Sequence, residues 1–260
     1  MSRPIVRYHD GVATSAADHL VSESPVEFRL HDVPIAVLMR TPGDDEVLGL
    51  GFALTEGIVL GPHEVDSIKR VEGTAEGDRY CMVLAEGVTV DPEQFRRNFF
   101  TSSSCGVCGK ASIDAVRVAA RSMAPGPTIP AETISSLSGA MRERQRTFDT
   151  TGSIHAAAAF SPSGDLIAVF EDIGRHNAVD KLIGHLATTR WPLNHVILFV
   201  SGRISFEIVQ KAAVVGIPVI GGVSGASDLA VDLGEELNMT VLGFVRDGGF
   251  NVYCGADRIL

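Results

Sequence analysis

HVILFVSG (residues 195–202) is a short apolar run that ends in Ser-Gly, and SFEIVQKAAVVG (205–216), which follows it, has apolar residues at a helical period. The alternation of apolar strand and amphipathic helix continues through IPVIGGV (217–223), SDLAVDLGEELN (227–238) and TVLGFVR (240–246). Uniformly apolar strands separated by such helices are typical of a parallel sheet that is covered on both faces. The sequence therefore predicts an α/β fold for the C-terminal part of the chain.

The N-terminal part follows a different pattern. VEFRLHDVPIAVLMRTP (26–42) predicts two strands joined by a turn at His31-Asp32, and DDEVLGLGFALTEGIV (44–59) predicts a helix with acidic residues in its first turn. A second pair of strands is predicted in VDSIKRVEG (65–73) and RYCMVLAEGVTV (79–90). These elements indicate a small α+β unit.

Two further helices are predicted between these parts, in SIDAVRVAARSM (112–123) and in AETISSLSGAMRERQRTF (131–148), with a Pro- and Gly-rich break between them. The predicted organisation therefore has four parts: an N-terminal extension (1–24), a small α+β region (25–100), a C-x-x-C loop with the helix after it (101–125), and an α/β region (126–260).

Composition excludes several classes of protein. The chain has 260 residues and a formal net charge of -10, which argues against a protein that coats nucleic acid, because phosphate binding needs a basic face. A local basic pocket for one phosphorylated small molecule remains compatible with that charge. No apolar run suits an export signal or a membrane span, so we expect a cytoplasmic protein with no membrane and no nucleic-acid partner.

Half of the four cysteines lie in one stretch, NFFTSSSCGVCGK (98–110). In a reducing compartment, the pair Cys105 and Cys108 indicates thiol chemistry, redox chemistry or metal binding. A structural zinc site usually has four ligands, and Cys81 and Cys254 are isolated in the sequence, so a zinc site within one chain would be incomplete. The nearby Lys110 and the start of a predicted helix would lower the pKa of a thiol here, and the serines before Cys105 favour a mobile, polar loop.

Three other segments carry candidate binding residues. FEDIGRHNAVDKLIGHL (170–186) groups polar residues, including Arg175 and His176, at a predicted strand-to-helix junction, as in the wall of a pocket. VIGGVSGASDLAV (219–231) predicts a strand, a glycine-rich turn and a helix capped by Ser224 or Ser227, an arrangement that can hold a phosphate group. Arg203 follows a Ser-Gly turn and is a candidate for binding an anion. Each of these segments also suits an ordinary structural role.

Two further sequence patterns are weaker indications of function. The zinc-dependent nucleobase deaminases combine H-x-E with a later C-x-x-C, but here Ala157 stands two residues after His155 and the cysteine pair comes first. The sequence therefore excludes deaminase chemistry, although a related fold stays open. Arg142, Arg144 and Arg146 form a local basic stripe, for which a solvated helix face is the simplest interpretation.

In order along the chain, six segments together resemble the formate dehydrogenase accessory sulfurtransferase family (FdhD/NarQ): RTPGDDEVLGLGFALTEGI (40–58), FTSSSCGVCGK (100–110), TGSIHAAAA (151–159), EDIGRHNAVDKLIG (171–184), SGRISFEIVQKA (201–212) and GFVRDGGFNVY (243–253). The resemblance extends from about residue 25 to the C-terminus, and the block around EDIGRHNAVDKL is its most specific part.

The resemblance implies a sulfur carrier that receives sulfur as a cysteine persulfide from a cysteine desulfurase. The carrier would pass this sulfur to the molybdenum or tungsten of the bis(molybdopterin guanine dinucleotide) cofactor, which it binds before the cofactor enters formate dehydrogenase. The implied fold is a small N-terminal α+β region followed by a cytidine-deaminase-like, three-layer α/β region without the zinc site, usually in a homodimer.

Carried over by motif, the resemblance implies that Cys105 holds the persulfide and that Cys108 assists it. It also implies that residues 221–226 contact the cofactor, namely Gly221, Gly222, Val223, Ser224, Gly225 and Ala226. Arg203, Arg175 and His176 are further candidates for that contact. The sequence departs from the family pattern at Gly152-Ser153, where Thr-Gly-Gly is common, and at residues 225–228 within the implied cofactor loop.

Two alternatives remain open at this point. The first is a non-catalytic chaperone that delivers the molybdenum cofactor and does not need its cysteines. The second is a dimer clipped by zinc, with one C-x-x-C pair from each chain.

Overall fold

The computed structural model of the chain describes residues 2–74, 77–91, 122–124 and 126–260. The strands are β1 (Ser2–His9), β2 (Val12–His19), β3 (Ser24–Leu30), β4 (Val33–Arg40), β5 (Val65–Thr74), β6 (Gly77–Leu84), β7 (His155–Phe160), β8 (Leu166–Asp172), β9 (Ile197–Val200), β10 (Val219–Gly222), β11 (Thr240–Arg246) and β12 (Gly249–Cys254). The α-helices are α1 (Asp45–Thr55), α2 (Ala131–Arg142), α3 (Arg146–Thr151), α4 (Arg175–Ala187), α5 (Phe206–Val214) and α6 (Asp228–Glu236), and short 3-10 turns lie at Pro62–Glu64 and Ala256–Arg258.

A six-stranded sheet forms the centre of the C-terminal part, with the strand order β12-β11-β10-β9-β7-β8. Its strands β9, β10 and β11 are parallel, which confirms the alternation predicted from the sequence. The outer strands β7, β8 and β12 are antiparallel to their neighbours. The hairpin turns between β7 and β8 and between β11 and β12 are too short for a parallel crossover, so these strands must reverse direction.

Both faces of this sheet are buried at the central strands, such as β9 and β10, and successive side chains of one strand belong to different cores. Leu198 and Val200 of β9 pack in the larger core, whereas Ile197 and Phe199 pack in a smaller core on the opposite face. The smaller core includes the apolar side of α2, contributed by Ile134, Leu137 and Met141. Successive side chains of a strand point to opposite faces of the sheet, and here both faces are buried. Every position of these strands therefore needs an apolar residue, which explains their uniformly apolar sequence.

The N-terminal α+β region also has the predicted elements. Its four strands are ordered β4-β3-β6-β5, and β3 turns into β4 at His31-Asp32, where His31 has a φ of 52°. One helix, α1, lies between this sheet and the C-terminal part. The backbones of α1 and α4 come very close, since a Cβ added at Gly51 would lie 1.8 Å from the carbonyl oxygen of Asp180. The larger core is therefore continuous from Val26 in β3 to Cys254 in β12.

The structure adds two features that the sequence analysis did not predict. Residues 2–19 form an exposed antiparallel hairpin around Asp10-Gly11, both with positive φ, and an Asp-Gly turn of this kind is a strong hairpin signal. The helix expected over residues 131–148 is interrupted after Arg142 and resumes at Arg146 as α3. Among the helices of the described residues, none is long and apolar enough to cross a membrane.

Candidate functional site

A cavity of about 870 Å³ lies at one edge of the six-stranded sheet. Ser201 and Val223 line it directly after the parallel strands β9 and β10, and Arg246 and Asp247 line it at the end of β11. His155 lines it too, because β7 is antiparallel to β9 and begins at this edge. The carboxyl ends of parallel strands are the usual position of ligand sites in open α/β sheets.

The opposite wall of the cavity is formed by α2, by α3 and by the turn between them, which contribute Met141, Arg142, Gln145 and Phe148 among other residues. Glu171 at the end of β8 holds this wall in place, because its carboxylate accepts hydrogen bonds of 2.8 and 2.9 Å from the backbone N–H groups of Thr147 and Phe148. These are N-terminal donors of α3 that no helical carbonyl could satisfy. The contact with Glu171 thus stabilises the N-terminus of α3 beside the cavity.

Charged and aromatic groups meet on this wall. The guanidinium of Arg142 lies 4.8 Å from the centroid of the Phe148 ring and forms an ion pair of 2.7 Å with Asp149.

On the sheet side of the cavity, burial and the neighbouring charge of Arg175 lower the pKa of His155, whereas the charge of Asp172 raises it. His155 therefore presents a neutral imidazole to the cavity at neutral pH.

The implied cofactor loop begins later than the sequence suggested. Gly221 and Gly222 belong to β10, and the turn starts at Val223. A Cβ at Gly221 would lie 2.8 Å from the ring of Phe199, so this glycine is required by packing inside the sheet. Among residues 221–226, the cavity is lined by Val223.

The turn after β10 is fixed from both sides. Phe244 of β11 donates a backbone hydrogen bond of 3.1 Å to the carbonyl of Ser224, and Ile204 donates one of 3.1 Å to the carbonyl of Gly225. The N–H groups of Ser224, Gly225 and Ala226 donate to no acceptor among the described residues. Of the two predicted candidates, Ser224 and Ser227, it is Ser227 that caps α6, through a bond of 3.3 Å from the N–H of Ala230. The turn thus offers backbone donors near a helix N-terminus, which suits a phosphate group.

The three other candidates lie near this edge in different environments. Arg203 is exposed, directly after Gly202. Arg175, the first residue of α4, lies beside the same glycine, since a Cβ at Gly202 would lie 3.9 Å from that of Arg175 and 3.3 Å from Nδ1 of His155. His176 is largely buried, and its Nε2 has no hydrogen-bond partner among the described residues.

Most polar residues of the segment 170–186 bind partners inside the protein, but Phe170, Glu171 and Lys181 also line a second, smaller cavity of about 260 Å³. Asp172 accepts a bond of 2.9 Å from the N–H of Gly174 and forms an ion pair of 2.8 Å with Lys181. Lys181 also donates to the carbonyl of Thr41, and Asn177 donates to that of Met39, both at 2.8 Å. These bonds join α4 to the end of β4 and to the residue that follows it.

A second buried cluster joins three helices close to His176. Lys211 of α5 is 2.9 Å from Glu56, which follows α1, and 3.0 Å from each carboxylate oxygen of Asp180 in α4. Burial disfavours the charge of Lys211, but the two carboxylates outweigh this effect and raise its pKa. Burial, together with the charge of Glu56, raises the pKa of Asp180 to about 6, although the charge of Lys211 lowers it. The cluster thus contains a permanent cation.

His176 is expected to make the stability of the fold depend on pH. Burial, together with the charges of Lys211 and Arg175, lowers its pKa to about 3, whereas a histidine in an unfolded chain has a pKa of about 6.5. As the pH falls below 6.5, His176 binds a proton in the unfolded chain but stays neutral in the folded chain. The unfolded chain is therefore stabilised relative to the folded one. The stability that comes from the neutral His176 is complete above pH 6.5 and is lost progressively towards pH 3. Urea unfolding should show a loss of roughly 2 kcal/mol from this residue between pH 7 and pH 5.

The comparison that isolates this effect uses His176→Asn and, as a control on the same helix, the exposed His185→Asn. The difference in unfolding free energy between pH 7 and pH 5 should shrink for His176→Asn and stay at the wild-type value for His185→Asn. Equal pH dependence in all three proteins would contradict the prediction.

The cysteine pair lies outside the described residues, as do Lys110 and most of the helix predicted over residues 112–123. The other two cysteines are free thiols: Cys81 is partly buried in β6, and Cys254 is buried in β12. Burial raises the pKa of Cys254, which makes its thiol a poor nucleophile at neutral pH. Within the described part of the chain, no group of three His, Cys, Asp or Glu side chains is arranged to hold a metal ion.

Several lining residues were not selected as candidates from the sequence: Gln145, Phe148, Ser201, Arg246 and Asp247. Arg142 was noted only as part of a basic stripe. The one available signal was the mixture of arginine, glutamine and phenylalanine in MRERQRTF (141–148), which does not continue the apolar spacing of α2. Nothing in the sequence connects that segment with the turn after β11.

Comparisons with known proteins agree over nearly the whole chain. The sequence model of the FdhD/NarQ family matches residues 21–260. Relatives named sulfur carrier protein FdhD include those of Streptomyces coelicolor, 45% identical over 99% of this chain and 94% of the relative, and of Mycobacterium tuberculosis, 46% identical over 92% and 91%. A third, from Saccharolobus solfataricus, is 36% identical over 98% and 96%.

The fold also matches a solved structure. The crystal structure of a protein described as a formate dehydrogenase accessory protein, from Desulfotalea psychrophila, superposes with a TM-score of 0.77 and covers 100% of this chain and 99% of that one. The two sequences are 23% identical, so this likeness concerns the fold alone.

Proposed function

Because the chain belongs to the FdhD/NarQ family, we propose that it is a sulfur carrier required for the activity of a formate dehydrogenase. The observation that carries this proposal is the match to relatives named sulfur carrier protein FdhD, which are 36% and 45% identical over 98% and 99% of the chain. The cysteine pair in the segment 98–110 supplies the chemical group that such a role needs.

The loading step is a thiol–persulfide exchange at Cys105. The thiolate of Cys105 attacks the outer sulfur of the persulfide on a cysteine desulfurase, a new S–S bond forms on Cys105, and the desulfurase cysteine leaves as a thiolate. No external oxidant or reductant is needed, because one S–S bond replaces another. This step makes the protein a sulfurtransferase with a cysteine persulfide intermediate.

The delivery step releases sulfur at the oxidation level of sulfide. Attack by the thiolate of Cys108 on the inner sulfur of the Cys105 persulfide would form a Cys105–Cys108 disulfide and release hydrosulfide for the metal. A thiol reductant would then restore both cysteines. In this scheme Cys105 carries the sulfur and Cys108 resolves the persulfide.

The substrate of the delivery step is proposed to be the bis(molybdopterin guanine dinucleotide) cofactor with molybdenum or tungsten. The cavity at the sheet edge and the free backbone donors of Ser224, Gly225 and Ala226 support this proposal, since a dinucleotide needs both a hydrophobic recess and donors for its phosphates. Arg203 and Arg175 lie at the same edge and would add positive charge, while the neutral imidazoles of His155 and His176 would not.

The finer implications of the family resemblance stay predictions. They are a homodimer, a cytoplasmic location, a cytidine-deaminase-like arrangement of residues 126–260 and a boundary between that region and residues 25–100. Equilibrium sedimentation of the purified protein would test the dimer.

The sulfur carrier function predicts that the protein gains one sulfur atom. Intact-protein mass spectrometry after incubation with a cysteine desulfurase and L-cysteine should show this gain in the wild-type protein, reversed by reductant and missing in Cys105→Ala. Cys108→Ala should still gain sulfur, because the accepting thiol is intact. No gain in the wild-type protein beside an active desulfurase would leave cofactor delivery without sulfur transfer as the better explanation.

A further inference from the structure

Three buried polar atoms without a hydrogen-bond partner belong to the first turns of α4 and α5. They are Nε of Arg175, Nε2 of His176 and Oγ of Ser205. In the part of the chain that the structure describes, six buried side-chain atoms lack a partner, so half of them belong to these two helix starts. Buried polar atoms are almost always satisfied, and a group of exceptions indicates an ion or small molecule that completes them.

The starts of α4 and α5 lie side by side. Each helix follows a strand that ends at the carboxyl edge of the six-stranded sheet, so both begin at that edge. About one turn along α4 from His176, Asp180 is bound to Lys211 of α5 at 3.0 Å, so the two helices are in contact. Arg175 also lies against Gly202, just before α5, because a Cβ at Gly202 would lie 3.9 Å from that of Arg175. The three unpaired atoms therefore share one region, which we call the α4–α5 junction.

The helices themselves do not use these groups. Ser205 stands directly before α5, where a serine commonly binds the first N–H groups of the helix, but its hydroxyl makes no such bond. Gly174, in the equivalent position before α4, has no side chain that could do so. The backbone N–H groups of His176 and Phe206 donate to no acceptor among the described residues. Hydrogen-bond donors are therefore in excess at the α4–α5 junction.

The charge at the α4–α5 junction favours an anion. Burial lowers the pKa of His176 to about 3, and the positive charges of Lys211 and Arg175 add to this effect, against the opposing charge of Glu56. The imidazole is therefore neutral, and the charges around it are positive on balance. A neutral imidazole has one nitrogen that donates a hydrogen bond and one that accepts.

The three unpaired atoms favour a ligand of very small size. None of Arg175, His176 and Ser205 lines either of the two cavities described above, and the unpaired atoms are themselves buried. An anion with a single heavy atom fits such a place better than a phosphate group. Hydrosulfide is an anion of this kind: its sulfur accepts hydrogen bonds, and its S–H group donates one.

Resting on the proposed function, we propose that the α4–α5 junction holds the hydrosulfide that the delivery step releases. The Nε–H group of Arg175 and the hydroxyl of Ser205 donate to the sulfur atom. The S–H group donates to Nε2 of His176, whose proton is then on Nδ1. Binding breaks no covalent bond and changes no oxidation level.

The α4–α5 junction is next to the cavity at the sheet edge. Gly202 lies between them, since a Cβ at this position would meet the Cβ of Arg175 on one side and Nδ1 of His155, at 3.3 Å, on the other. His155 lines the cavity. Hydrosulfide at the junction would thus be kept from bulk water and lie one residue away from the cavity proposed for the metal cofactor.

The test is a titration of the purified full-length protein with sodium hydrosulfide, without oxygen and at mildly alkaline pH. Long-range proton–nitrogen NMR spectra report the side-chain nitrogens of the histidines. The signals of His176 should shift until they saturate, whereas those of the exposed His185 should not shift. Chloride and inorganic phosphate should bind at least about ten-fold more weakly, because chloride has no proton to donate to Nε2 and phosphate is too large.

Variants identify the groups that hold the anion. Arg175→Gln and Ser205→Ala should each weaken hydrosulfide binding about ten-fold. Arg190→Gln makes the same change at an exposed arginine beyond the other end of α4 and should bind hydrosulfide like the wild-type protein. The wild-type titration tests the proposal even where a variant does not fold.

Three results would overturn the proposal. They are the lack of a saturable shift of His176 in the wild-type protein, wild-type affinity in both Arg175→Gln and Ser205→Ala, and equal affinity of the wild-type protein for hydrosulfide and for chloride or phosphate.

The fate of this proposal is separable from that of the proposed function. Sulfur loading on Cys105 without hydrosulfide binding would leave the sulfur carrier in place and refute the anion site. Selective hydrosulfide binding without sulfur loading would support the anion site and refute the carrier.

Discussion

Replacing Cys105 by alanine is expected to abolish the activation of formate dehydrogenase in cells whose only copy of the gene carries the change. The reason is chemical, since alanine offers no sulfur atom to attack the desulfurase persulfide. Cys108→Ala should retain part of the activity, because Cys105 can still be loaded and a small external thiol can replace the resolving cysteine. The measurement is formate dehydrogenase activity in cell extracts, with immunoblots to confirm equal amounts of the carrier.

The chain supplies matched controls for this experiment. Cys81 is a free thiol in β6, and Cys81→Ala should leave formate dehydrogenase fully active. Cys254 is buried with a raised pKa, so it cannot replace Cys105 as the nucleophile. Full activation in Cys105→Ala cells would refute the persulfide mechanism and favour a chaperone that delivers the cofactor without transferring sulfur.

Replacing Lys211 by methionine is expected to lower the free energy of unfolding by about 3–5 kcal/mol at pH 7. Methionine keeps much of the side-chain volume but leaves the carboxylate of Asp180 buried without its cation. Asp180 is 2% exposed, and its remaining side-chain partner is the hydroxyl of Thr55 at 2.8 Å. The measurement is urea unfolding followed by circular dichroism.

The cost should depend on the charge of Asp180. In the double variant Asp180→Asn/Lys211→Met, most of the lost stability should return, because residue 180 no longer places a fully buried charge beside the missing cation. Lys69→Met, which changes an exposed lysine of β5, should stay within about 0.5 kcal/mol of the wild-type protein. A loss below about 1 kcal/mol for Lys211→Met would show that water reaches Asp180 and that the cluster does not hold the three helices together.

Much of the fold could be predicted from local patterns. Apolar runs such as residues 195–202 predicted the parallel strands, since a strand buried on both faces has no polar side to interrupt it. Ser227 was one of two serines predicted to cap α6 from their neighbours in the chain, because capping acts over only three residues. The interruption of the helix after Arg142 could not be predicted in this way, because its cause, Glu171, lies in another strand.

The residues of the candidate site were likewise predicted only where a short motif marks them. The cysteine pair and the glycines of β10 were visible as motifs, whereas Gln145 and Phe148 were not, since their types and spacing are ordinary. The segment 170–186 was predicted to form a pocket wall, and Glu171 and Lys181 do line a small cavity, but Asp172 and Asn177 bind the backbone of Thr41 and Met39. Polar density in a sequence does not show whether the partners of those groups are internal or external.

By itself, the sequence determined the alternation of strands and helices, the thiol chemistry open to the chain and the family to which the chain belongs. These properties depend on residue type and short-range spacing, which a sequence states directly. The tertiary structure alone decided which polar groups are satisfied by the protein and which face a cavity. That outcome depends on the pairing of segments such as residues 141–148 with the turn after β11, and a partner so distant in the chain is specified by the packing of the whole core.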